Sequence, residues 1–100
     1  MKLTIIKDDG AVYKDNKSYS NLSLPTIPSD VHALQWNNDI GHIEFINNVK
    51  ANEAVTELPS WANDALNAWQ QAYEAEQAEI ARLQAEAEAK KLAEQQAQTS

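Results

Sequence analysis

Val31-His32-Ala33-Leu34-Gln35-Trp36-Asn37 and Ile40-Gly41-His42-Ile43-Glu44-Phe45-Ile46 flank Asn38-Asp39, and how this stretch is read decides the fold. Asn and Asp tolerate positive φ better than most residues, and here they sit between two runs of alternating side chains. The stretch therefore reads as a hairpin with a two-residue loop. The loop dictates the register: Asn37 pairs with Ile40, Trp36 with Gly41, Gln35 with His42, Leu34 with Ile43, Ala33 with Glu44, His32 with Phe45 and Val31 with Ile46. Leu34, Trp36, Ile43 and Phe45 then share one face, where Gly41 leaves room for the Trp36 indole. The other face carries Gln35, His42, Ala33 and Glu44. One apolar and one polar face is the pattern of an antiparallel sheet solvated on one side.

Upstream, Leu3-Thr4-Ile5-Ile6 reads as a first strand, followed by a three-residue loop, Asp8-Asp9-Gly10, with Gly10 in the left-handed region. Ala11-Val12-Tyr13-Lys14 returns, Asp15-Asn16 turns again, and Lys17-Ser18-Tyr19-Ser20 makes a more polar third strand. The prolines of Leu24-Pro25-Thr26-Ile27-Pro28-Ser29-Asp30 cannot donate to a sheet ladder, so that segment is a loop. About five short strands are expected within residues 1–58. Val12, Val31 and Ile46 are expected on the open sheet face, where another subunit could bury them.

At Pro59 the composition changes. Residues 60–98 contain no Gly or Pro and are dominated by Ala, Glu, Gln and Leu, which reads as one helix opening at Leu58-Pro59-Ser60-Trp61. At about 100° per residue, Ala62, Leu66, Trp69, Tyr73, Glu76, Ile80, Leu83 and Ala87 form one stripe. Leu66, Trp69 and Tyr73 are expected to join Leu34, Trp36, Ile43 and Phe45 in the sheet–helix core. Some 38 helical residues at about 1.5 Å each make a rod of roughly 57 Å, longer than such a sheet can cover. Residues 74–98 therefore protrude as an Ala/Glu-rich helical tail, with Ile80 and Leu83 as a short coiled-coil-like seam. The fold class expected is α+β, a small antiparallel sheet (1–58) followed by one long C-terminal helix (59–98). Trp61 lies off the stripe by about 100°, and with Ile80, Leu83 and Leu92 it is a candidate for contacts with another protein.

Several function classes conflict with the composition. The formal charge is -7, with eight Lys and Arg against fifteen Asp and Glu, which argues against nucleic acid or an anionic membrane as partner. The chain has no cysteine, which excludes disulfides, thiolate metal sites and cysteine nucleophiles. Met1-Lys2-Leu3-Thr4-Ile5-Ile6-Lys7-Asp8-Asp9 turns acidic too early for a signal peptide, and the apolar runs are too short to span a bilayer, so a soluble, cytoplasmically made chain is expected. The only two histidines, His32 and His42, are expected on opposite faces of the hairpin, which leaves no shared metal site. No Ser, His and Asp assemble into a triad, and the two glycines are too isolated to form a phosphate loop. No catalytic residue, metal or cofactor is expected.

Val31-His32-Ala33-Leu34-Gln35-Trp36, with Gly41-His42-Ile43-Glu44-Phe45, Asn52-Glu53 and Leu58-Pro59-Ser60-Trp61, resembles small proteins encoded by tailed bacteriophages, usually beside tail-fibre genes. Leu3-Thr4-Ile5-Ile6 and Asp9-Gly10-Ala11-Val12-Tyr13 fit the same pattern, so the likeness covers roughly residues 1–72. It implies a non-enzymatic virion structural protein of the tail or tail fibre, made in the host cytoplasm and attached to a tail or fibre protein. The symmetry of phage fibres implies a trimer. The same resemblance leaves room for a tail-fibre assembly chaperone absent from the finished particle. A small host-directed binding protein is a third reading.

Overall fold

The alternation of the first 58 residues produces six strands in a computed structural model that describes residues 1–99. These are β1 (Lys2–Ile6), β2 (Ala11–Lys14), β3 (Lys17–Tyr19), β4 (Val31–Asn37), β5 (Ile40–Phe45) and β6 (Glu53–Val55). A 3-10 turn, Ile46–Asn48, follows β5, and a single helix α1 (Ser60–Thr99) completes the chain. The strands form one antiparallel sheet in the order β3-β2-β1-β4-β5-β6. An antiparallel sheet followed by one long helix is the α+β arrangement the sequence predicts, with β6 as an additional edge strand.

The central hairpin has the expected register from Asn37↔Ile40 to Ala33↔Glu44. Asn38 supplies the turn with φ 59°, and its N–H donates to the Met1 carbonyl at 2.8 Å. Asp15 (φ 54°) plays the same part between β2 and β3. The first loop is longer than expected: Ile6 pairs with Ala11, so Lys7 belongs to the turn, and its carbonyl accepts from Gly10 N–H at 3.1 Å. Gly10 adopts φ 56°, as the turn requires.

The register departs from expectation beyond Ala33. A bulge between Val31 and Ala33 pairs Val31, not His32, with Phe45. With His32 as the extra residue, Val31 swings to the core face, and His32 moves to the side that bears Glu44. The two line one concavity, so His32 does not lie opposite the Glu44 face as alternation predicts. Val31 (3% exposed) and Val12 (0%) are core residues, which corrects their expected place on the open face. Ile46 leaves the sheet altogether and is half-buried, its N–H donating to the Asp30 carbonyl at 2.9 Å.

The core lies on one face of the sheet. Leu3, Ile5, Val12 and Leu34 are fully buried, each stabilising the fold by roughly 1.5–3 kcal/mol relative to exposure. Trp36, Ile43 and Phe45 join them as expected. The 20–30 loop is not a passive connection: Ile27 is buried, and Leu22 and Leu24 pack against the same cluster. From the helix come Ala62, Ala65 and Trp69, with Leu58, Trp61 and Leu66 partly buried around them. The centre of the buried stripe is thus Ala62, Ala65 and Trp69. Leu66 is at its margin, and Tyr73 is exposed. Alanine at 62 and 65 lets the helix axis come close to the sheet, so the bulkier residues flank the contact.

Candidate functional site

The sheet face away from α1 mixes polar side chains with Ile6, Tyr13 and Ile40. Thr4, Gln35 and His42 lie in one row across it, and Thr4 Oγ1 donates to Gln35 Oε1 at 2.8 Å. They line, with Lys2, Asn37 and Ile40, an open concavity of about 580 Å³. A second concavity of about 360 Å³ lies among Asp8, His32, Glu44 and Asn47. His32 Nδ1 is 3.8 Å from Asp8, and His42 Nε2 is 3.6 Å from Glu44. Among the described residues, no group of three or more His, Cys, Asp or Glu is placed to hold a metal ion. No helix is long and apolar enough to cross a membrane.

The most distinctive surface is the helix itself. Trp69 anchors it to the edge of the sheet: Nε1 donates to the Lys17 carbonyl at 3.1 Å, and the Lys14 ammonium stands 4.7 Å from the ring centre. Tyr19 meets the indole edge-on, and Tyr73 stacks on it with centroids 5.3 Å apart. One turn further, Lys17 Nζ lies 2.6 Å from Glu76 Oε1. The bond to Lys17 holds the Glu76 carboxyl below the usual glutamate range, and the Lys17 ammonium is raised in return. A depressed carboxyl contributes stability above its unfolded value, and that contribution disappears as pH falls through the lower folded value. The ion pair is therefore in place at neutral pH, lost in acid as Glu76 takes up a proton and lost in strong alkali as Lys17 gives one up.

Past Glu76 the helix leaves the sheet, and every described residue from Gln77 to Gln96 is exposed. This arm gives the molecule a longest dimension of 73 Å. Arg82 reinforces it by pairing with Glu79 one turn before and with Glu86 one turn after, at 2.6 Å for the latter. Ile80 is 40% exposed and Leu83 51%, at the positions where the sequence predicts a seam. The phase of that seam is informative. Ala62 and Ile80, Ala65 and Leu83, and Trp69 and Ala87 are each 18 positions apart, about five full turns. The triad that faces the sheet is thus repeated along the arm, in the same direction, with nothing beneath it.

Of the other predicted contact residues, Leu92 is 58% exposed but on the opposite side of the arm, and Trp61 is half-buried against the core. The structure does not bring Trp61 or Leu92 together with Ile80 and Leu83. Sequence reasoning put Ala62 on the stripe but missed Ala65, although the repetition of the two as Ile80 and Leu83 was present in the spacing. No family model matches the chain, and neither the curated proteins nor the solved structures contain a significant match to it.

Proposed function

We propose that the chain is a non-enzymatic attachment protein of a bacteriophage tail or tail fibre, in which a small β body carries a helical arm that other protein surfaces bind. One observation carries the attachment reading: the sheet-facing triad of α1 recurs as Ile80, Leu83 and Ala87 on an arm that no part of the body covers. A helix with an apolar stripe needs something to bury it, and this stripe extends beyond the sheet. The placement in a phage tail rests on the resemblance of residues 1–72. The open concavities of the sheet suit a body held in an assembly better than an enzyme, whose reacting groups need a sequestered pocket. Mass spectrometry of purified virions of the encoding phage tests the reading. The expected result is the chain at a stoichiometric ratio to tail proteins. Its absence from finished particles contradicts the structural role and favours a transient assembly helper.

A further inference from the structure

The arm's seam faces the same way as the sheet-bound side of α1, and this restricts what can cover it. In a parallel pair or trimer of arms the seams converge on a common axis, and the bodies sit together at one end. Each sheet lies on the seam side of its own helix, so the sheets would compete for the space around that axis. The charges oppose the same arrangement. Glu76, Lys90 and Glu94 lie on the seam by helical phase, and parallel symmetry sets each of them against its own copy.

An antiparallel pair puts the bodies at opposite ends and takes Lys90 off its own copy, and its register can be narrowed. Centring the two-fold axis between Ile80 and Leu83 would carry the partner's Glu94 to the level of Trp69, where the sheet already occupies the seam side. Moving the axis to the level of Ala85 brings the partner's Glu94 to the level of Glu76, whose carboxylate is already paired with Lys17. Leu83 then faces the partner's Ala87, a large residue against a small one, in two symmetric copies. Ile80 lies under the aliphatic stem of the partner's Lys90, whose ammonium is within reach of Glu79 on the same flank. The acidic base of one arm (Glu74, Glu76, Glu79) thus meets the Lys90-Lys91 pair near the tip of the other.

We infer that the occupant of the seam is a second copy of this chain, paired antiparallel about a two-fold axis at Ala85, with the two β bodies at opposite ends. This rests on the reading of the arm as an interaction element. It replaces the trimer that the resemblance implies by a dimer able to bridge two sites.

The absence of native cysteine allows single spin labels at exposed positions of the full chain. Gln77→Cys, Gln84→Cys and Gln95→Cys, measured by dipolar spectroscopy, test the geometry. The inference expects a short distance at Gln84, set by helices about 8–10 Å apart. It expects added axial separations of about 24 Å at Gln77 and about 30 Å at Gln95. Ile80→Asp with Leu83→Asp should abolish all three couplings. Short distances at all three sites mean a parallel bundle and overturn the inference, as does the absence of coupling at high protein concentration. Neither result touches the virion measurement, which fails independently if the structural role is wrong.

Discussion

Trp69→Ala is expected to lower the stability of the folded body by about 3–5 kcal/mol, read as a fall in the urea midpoint of the full chain. The indole is 7% exposed, and its removal leaves a cavity between α1 and the β2–β3 edge. Four further contacts are lost with it: the Nε1 bond to the Lys17 carbonyl, the Lys14 ammonium over the ring, the Tyr19 edge and the Tyr73 stack. Domains of this kind are stable by only about 5–15 kcal/mol, so a loss of this size puts part of the population in the unfolded state. A change below about 1 kcal/mol would mean that the helix does not depend on Trp69 for its seat on the sheet.

Gly41→Ala should cost about 2–3 kcal/mol, although it adds one methyl group. A Cβ at this position would come 2.3 Å from the Gln35 carbonyl oxygen and 2.9 Å from Cε3 of Trp36. The first neighbour is backbone in a central strand and cannot give way without disturbing the β4–β5 ladder. The second is the indole that Gly41 accommodates across the hairpin. Urea denaturation gives the size of the effect, and near-ultraviolet circular dichroism should show the altered Trp36 environment. An unchanged midpoint would show that the hairpin can shift to admit the methyl.

The hairpin was readable because two independent signals agree there. Asn38 adopts the positive φ that a two-residue loop needs, and the alternation around it selects the same register. The reading fails at His32 because a bulge adds a residue without changing composition, so strict alternation sends Val31 to the wrong face. β6 escaped notice because Glu53-Ala54-Val55 is too short for any period to emerge. Leu24 and Ile27 read as loop on account of the flanking prolines, yet with Leu22 they close one side of the core. On the helix, bulk was a poor guide to position. Leu66 and Tyr73 outweigh Ala62 and Ala65 in any hydrophobic tally, but close approach to a sheet favours the small residues. Of the predicted core, Leu34, Trp36, Ile43, Phe45 and Trp69 are buried, Leu66 is partly so and Tyr73 is exposed. Ile80 and Leu83 were legible as a seam from their spacing. Its direction required knowing which side of α1 meets the sheet.

The solution mass of the full chain, measured by light scattering from about 1 µM to about 1 mM, tests most directly whether the arm's seam joins two copies. The expected result is a rise from the 11.1 kDa monomer toward twice that mass as concentration increases. Ile80→Asp with Leu83→Asp should stay monomeric while keeping the urea midpoint of the β body. A mass fixed at one chain, a plateau at three chains, or the same rise in the double variant would contradict it.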